Sequence, residues 1–280
     1  TTPDSLESPA SDPSIIVYTW IEEVEGIEFI VYSSSIEART KNSFTNLSSG
    51  ESGVIIYNVT ESTNSDWRKT TDYWEGPDDL FPNTTYSFKA NSRNQAGVEN
   101  GETILYATST LCNTPSTPEL LKVHISSVSL KINTNSNTPW TKYSIKVSST
   151  GITKYLQQNN ALGDTAVYRD TATWTDNIWV EGLTSNTTYT FSVNAKNSNG
   201  VTTTYSLLTT TVTLANPPAN AGHDNATQTK VSITWTWDSG GNQKEFYAWT
   251  ASSDTGWTSS VNWLLGDLGT NTSYLLQVKA

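Results

Sequence analysis

A chain of 280 residues exceeds what one small domain needs and suits two or three. Its 16 Lys and Arg against 27 Asp and Glu give a net charge of −11, which argues against nucleic acid and anionic membrane surfaces as partners. Charged residues are only 15% of the chain, Ser, Thr and Asn abound, and there is no apolar run of the roughly 18 residues that direct membrane insertion by a helix needs.

Residues 1–13, rich in Ser, Pro and acids, read as a flexible lead-in. Ile16, Tyr18 and Trp20 alternate, so a first strand is expected there with Trp20 between two sheets. Glu22 to Gly26 form an acidic loop, and Ile27 to Tyr32 the returning strand. The stretch 33–71 then reads as a long polar insertion holding one strand, Val54 to Val59. It is expected to carry contacts to neighbours, and deleting 36–66 is expected to leave folding largely intact. Trp74 follows, then a corner described below, a hairpin turn Asn94-Gln95-Ala96-Gly97 and a closing strand Glu102 to Thr108.

The linker Leu111 to Pro118, stiffened by two prolines, opens a second unit. Val128, Leu130 and Ile132 point inward, and Tyr143, Ile145 and Val147 return. Trp179 and Leu183 precede a second corner, Asn197-Ser198-Asn199-Gly200 turns the hairpin, and Val201 to Leu214 carries the closing strand. After Asn216-Pro217-Pro218, Val231, Ile233, Trp235 and Trp237 alternate into a third core. Asp238 to Glu245 make a loop and Phe246 to Thr250 a return strand.

One seven-residue phrase organises the chain: Leu80-Phe81-Pro82-Asn83-Thr84-Thr85-Tyr86, Leu183-Thr184-Ser185-Asn186-Thr187-Thr188-Tyr189 and Leu268-Gly269-Thr270-Asn271-Thr272-Ser273-Tyr274. Each reads as a buried Leu ending one strand, a tight turn at Asn, and a Tyr opening a strand of period two. The phrase resembles the corner between the fifth and sixth strands of a fibronectin type III domain, usually worded Leu-x-Pro-x-Thr-x-Tyr; Pro82 keeps the proline, and Ser185 and Thr270 depart from it. The resemblance implies a buried ring whose hydroxyl returns to the backbone, the tyrosine corner of immunoglobulin-like sandwiches. It further implies an all-β fold of three tandem immunoglobulin-like (fibronectin type III) β-sandwich modules, at 1–111, 112–215 and 216–280. The third is incomplete at its C-terminus, lacking a closing strand after Tyr274, and either the continuing chain or another subunit is expected to supply one. The chain therefore reads as a mature or excised fragment.

Parts for catalysis are sparse. His124 and His223 fall in different modules and read as structural or exposed. Cys112 stands alone, which excludes an intrachain disulfide and leaves a free thiol or an intermolecular link. Asp78-Asp79 and the group Glu22, Glu23, Glu25 and Glu28 lack the spacing of a calcium loop. No catalytic residue, cofactor site or metal site is assigned. Eleven Trp are the more informative excess. Sandwich cores are expected to absorb Trp20, Trp74, Trp179, Trp237 and Trp263 beside Trp235. Trp67, Trp140, Trp174, Trp249 and Trp257 are left as candidate ligand or interface residues, because exposed rings stack on sugars or anchor protein contacts. Six glycosylation sequons, at Asn46, Asn58, Asn83, Asn186, Asn225 and Asn271, match the number that the abundance of Asn, Ser and Thr gives by chance.

Resemblance implies a secreted or cell-surface protein of microbial type. The expected role is a non-catalytic structural or adhesive segment of a surface layer, sheath, filament or adhesin. Its expected partners are other copies of itself or other surface proteins. The alternative is an accessory carbohydrate-binding or spacer region of a secreted polysaccharide-degrading enzyme, which needs two or three coplanar exposed rings.

Overall fold

The structure, a computed structural model, describes residues 16–224, 230–236 and 243–280. The lead-in 1–13, Trp237, Asn225 and most of the loop 238–245 lie outside the described residues, as does the side chain of His223. Two compact units divide between Leu111 and Cys112.

The first unit holds β1 (Ile27–Val31), β2 (Ile36–Thr40), β3 (Gly53–Asn58), β4 (Thr63–Asn64), β5 (Trp74–Glu75), β6 (Thr85–Arg93) and β7 (Tyr106–Ser109). They form two antiparallel sheets, β1-β2-β5 and β4-β3-β6-β7. Ile36, Ala38, Ile56, Leu80, Tyr86, Phe88 and Ala90 are buried together between them, with the Phe29 and Phe88 rings 4.9 Å apart. Each large side chain so buried stabilises the fold by roughly 1.5–3 kcal/mol.

Two expectations fail here. Ile16 to Trp20 form no strand, and Trp20 is 67% exposed. Its segment is instead an extended strap whose carbonyls are caught by side chains. Asn94 Nδ2 donates to the Thr19 carbonyl (3.0 Å), Asn100 Nδ2 to that of Ile21 (2.9 Å) and Ser92 Oγ to that of Glu22 (2.7 Å). Nor is 33–71 an insertion, because it supplies β2 and β3, whose Ile36, Ala38, Val54 and Ile56 are at most 2% exposed. Deleting 36–66 removes β2 and β3 with these buried residues and is expected to unfold the unit.

The second unit begins with β8 (Ser116–Val123), β9 (Ser127–Asn133), β10 (Lys142–Ser149), β11 (Ile152–Leu156), β12 (Leu162–Gly163), the single-turn α1 (Thr171–Trp174), β13 (Ile178–Glu181), β14 (Thr188–Lys196) and β15 (Thr209–Val212). Sheets β13-β9-β8 and β12-β11-β10-β14-β15 enclose a second core built on Val128, Leu130, Tyr143, Ile145, Val180 and Phe191. Then come β16 (Ala219–Asp224), β17 (Val231–Thr236), β18 (Phe246–Trp249), β19 (Asp254–Thr258), β20 (Asn262–Leu265) and β21 (Gln277–Lys279). Sheets β16-β17-β20 and β19-β18-β21 enclose a third core of Ile233, Trp235, Phe246, Ala248 and Leu265. Among the described residues β21 is flanked by β18 alone.

All three corners repeat one geometry. Asn83, Asn186 and Asn271 have φ of 49°, 43° and 51°, in the left-handed region that Asn tolerates. The hydroxyls of Tyr86, Tyr189 and Tyr274 accept hydrogen bonds from the N–H of Phe81 (2.9 Å), Thr184 (3.0 Å) and Gly269 (2.7 Å). The closing strand is tied to the same turn in the first two cases. Thr110 Oγ1 donates to the Phe81 carbonyl and Thr213 Oγ1 to that of Thr184, both at 2.6 Å; each also accepts, from Thr84 N and Thr187 N, at 3.0 Å. The hairpins match too: Gly97 and Gly200 have φ of 76° and 84°, where a side chain would be strained.

Cys112 is buried, and burial pushes its thiol from the ordinary 9.0 up to about 11. The thiolate is therefore disfavoured by the fold. Its contribution to stability is whole below pH 9 and falls as the pH climbs toward 11. A thiol reagent at neutral pH is expected to leave the native chain unlabelled and to label the unfolded chain fully; rapid native labelling would contradict the burial.

Tyr189→Phe leaves the Thr184 N–H without its acceptor, and urea unfolding is expected to show a loss of about 1–2 kcal/mol. Tyr274→Phe is expected to cost less, since that ring is 42% exposed. Equal losses at both corners would mean that burial plays no part.

Candidate functional site

The five candidate tryptophans have different fates. Trp174 is a core residue, 4% exposed, with its ring N–H donating to the Tyr143 carbonyl at 2.9 Å. It reaches the core because Asp170 caps α1, accepting from Thr173 N at 2.8 Å, and turns the chain inward. It is therefore withdrawn as a contact residue. Trp67 is half-buried under Arg93, whose guanidinium carbon lies 4.5 Å from the ring centre. Trp140 is 56% exposed and lines a shallow groove with Lys142, Tyr168 and Lys196. Trp249 and Trp257 come together, on the outer face of β18 and β19.

The pre-corner tryptophans also differ. Trp74 and Trp263 pack partly against their cores. Trp179 does not, since Ile178 and Val180 take the inward positions of β13, and its ring lies tilted against His124, 5.3 Å between centres, outside the sheet.

Two sequons lose their glycan reading. Asn58 and Asn83 are 0% and 1% exposed, with no room for a glycan in the folded chain. Asn58 instead closes a turn, its Oδ1 accepting from Glu61 N at 3.1 Å. Asn46 and Asn271 are exposed and Asn186 half-buried.

On the outer faces of the sheets built on β3–β6, β10–β14 and β18–β21, aromatic rings lie under cations. Lys89 Nζ stands 5.3 Å from the Tyr57 ring centre, Lys146 Nζ 4.0 Å from Tyr205 and Lys196 Nζ 4.9 Å from Tyr168. Burial of Tyr205, with Tyr155 and Tyr168 beside it, raises its phenol pKa. Such pairs are each worth about 0.5–1 kcal/mol at exposed sites.

One device recurs across two sandwiches. The dipeptides Trp67-Arg68 and Tyr168-Arg169 each form a short antiparallel bridge, to Val54 in β3 and to Tyr143 in β10. Each ring so placed meets the basic residue seven positions after the corner Tyr, Arg93 or Lys196. Gly53 makes room for this, because a Cβ there would stand 3.3 Å from the Trp67 ring and 3.2 Å from the Arg68 carbonyl.

The densest group lies on the sheet β19-β18-β21. Tyr247 and Trp257 rings are 5.7 Å apart at 63°, Tyr247 and Trp249 5.9 Å apart at 53°. Lys279 Nζ lies 4.9, 5.6 and 5.4 Å from Tyr247, Trp249 and Trp257. Desolvation raises the Tyr247 pKa, with Asp254 adding to it. Sequence reading found Trp249 and Trp257 and missed Tyr247 and Lys279, which are set directly opposite one another by the β18–β21 register. With Tyr247 tilted from both tryptophans, the three rings under Lys279 do not form one flat shelf.

Among the described residues no group of three or more His, Cys, Asp or Glu is placed to hold a metal ion. Among the described residues no helix is long and apolar enough to cross a membrane.

No family model and no curated protein matches the sequence. Solved structures do. The chicken CNTN1 FN1-FN3 domains align over 90% of this chain and 90% of their own, at 14% identity and a TM-score of 0.31. A segment of two fibronectin type III domains from chicken tenascin covers 59% of this chain and 90% of its own, at 14% identity and 0.35. The fibronectin type III domain of human fibronectin type III domain containing protein 3 covers 38% and 90%, at 24% identity and 0.28.

Proposed function

We propose that this chain is a non-catalytic structural or adhesive segment of an extracellular surface protein, made of three fibronectin type III-like modules at 1–111, 112–215 and 216–280. Surface layers, sheaths, filaments and adhesins are the assemblies it suits, with other copies or other surface proteins as partners. The observation that supports this is the aromatic patch Tyr247, Trp249, Trp257 and Lys279 on an outer sheet face. Aromatic rings gathered on an outer sheet face are the composition of protein contact surfaces. Because Tyr247 is tilted from both tryptophans, the three rings give no support to the carbohydrate-binding alternative as one flat platform for an extended sugar chain.

Assays against a panel of polysaccharides, peptides and esters are expected to give background rates. In gels cast with soluble polysaccharide the chain is expected to migrate unretarded. Turnover lost on replacing a single carboxylate, or retardation lost in Trp257→Ala, would overturn the reading.

A further inference from the structure

The closing strands β7 and β15 carry a feature that the contact patch does not use. Among the described residues each lies at the margin of its sheet, paired on one side only, β7 with β6 and β15 with β14. Marginal strands present unpaired N–H and C=O groups, and proteins ordinarily guard them with Lys, Pro or inward-pointing charge. Neither charge nor proline stands on these two short strands. Thr103 to Pro118 and Asn197 to His223 contain no Asp, Glu, Lys or Arg, and they are the two longest such runs in the sequence. The prolines in both runs come after the strands.

Just before each strand, two consecutive aliphatic side chains stand in solvent. Ile104 and Leu105 are 76% and 61% exposed, Leu207 and Leu208 79% and 58%. The pairs are equivalent, each beginning eighteen positions after its corner tyrosine (Tyr86 to Ile104, Tyr189 to Leu207). Each follows a hydroxyl residue sewn to the neighbouring strand. Thr103 N donates to the Ala90 carbonyl (2.9 Å) while its Oγ1 accepts from Ala90 N (3.0 Å). Ser206 N donates to the Val193 carbonyl (2.8 Å) while its Oγ accepts from Val193 N (3.0 Å). The backbone is therefore held on both sides of the pair, and its outward facing is imposed rather than frayed. In the second unit β8 touches the strand through Thr209 Oγ1, which donates to the Pro118 carbonyl, and leaves Leu207 and Leu208 outside.

We propose that these two uncharged strips are self-association sites, where closing strands of two copies of this chain pair edge to edge and the aliphatic pairs pack across the seam. The proposal rests on the reading of the chain as a structural segment. Charge selects the occupant. Copies carrying −11 each repel one another, and contact is least costly where both surfaces are uncharged. A marginal strand turned antiparallel complements itself, so a two-fold contact needs no second kind of surface. Thr209-Thr210-Thr211-Val212 is β-branched throughout, as cross-strand packing favours. With two strips, a chain joined through one still offers the other, which lets copies extend into a longer array.

Sedimentation velocity of the chain at rising concentration, in low and in high salt, tests this. Association is expected to grow with concentration and to strengthen with salt, which screens the repulsion. The variant Ile104→Lys, Leu105→Lys, Leu207→Lys, Leu208→Lys is expected to raise the concentration for half-association about tenfold or more. Its four added positive charges reduce the net repulsion, so a loss cannot come from general electrostatics. Blocking one strip alone is expected to stop growth at the dimer. Circular dichroism and melting report whether the variants fold; Leu207→Asn with Leu208→Asn replaces any that does not. A parent chain that stays monomeric at its solubility limit in high salt would overturn the proposal. So would a folded four-lysine variant that associates like the parent. Turnover and gel retardation report on the structural reading separately.

Discussion

Everything in these sandwiches hangs on a phenol oxygen meeting a backbone N–H five residues upstream. That bond, made by Tyr86, Tyr189 and Tyr274, fixes where one sheet stops and the facing sheet begins. A chain crossing between sheets leaves backbone groups that neither ladder can pair, and an unpaired buried amide costs about 1–3 kcal/mol. The tyrosine answers this by bringing its own acceptor into the turn, and at Tyr86 and Tyr189 the ring fills core as well. The left-handed asparagine makes the turn short enough for the hydroxyl to reach. Thr110 and Thr213 then extend the same network to the closing strand. Core, turn and edge are thus set by one small polar cluster.

With the interior settled in this way, the modules differ on their outer faces. The first two carry an aromatic–Arg dipeptide docked on a strand, its ring covered by Arg93 or Lys196. The third gathers three rings around Lys279. Long basic side chains lie flat on such rings, covering apolar area while keeping their charge near water. Rings and cations are therefore presented together on these faces.

The corners and hairpins were legible because they depend on local chemistry: a fixed Leu–Asn–Tyr spacing and glycines at positive φ. The cores of the later sandwiches followed from alternation of large residues, as in Val128, Leu130 and Ile132. The first sandwich misled. Its β2 buries Ile36, Ala38 and Thr40, two of them small, and so gives a weak alternation signal beside the louder Ile16, Tyr18 and Trp20. Those large residues lie on a strap held through its carbonyls, an arrangement with no periodic trace in sequence. The outer-face pairs were hidden for another reason. Tyr247 meets Lys279, and Trp67 meets Arg93, only through strand register, which spacing along one segment does not reveal. The recurrence of an aromatic–Arg dipeptide was visible, but its meaning depended on the bridge it makes.

The way the closing strands end bears on how these modules carry a mechanical load. Leu214 donates its N–H to the His124 carbonyl and accepts at its own carbonyl from Asn186 N; Leu111 does the same with Tyr32 and Asn83. Tension arriving through a following linker therefore falls on these residues before it reaches any ladder. The bonds they make go to two different turns, one at each sheet, so no single ladder peels open bond by bond. Thr110 and Thr213, one residue inward, join in the same moment, because the hydroxyl of each grips the corner through two bonds and its N–H through a third. A pull must break that whole group together. The fastening that shuts each of these two sandwiches is thereby also a shear lock against the chain being drawn out from its C-terminal side.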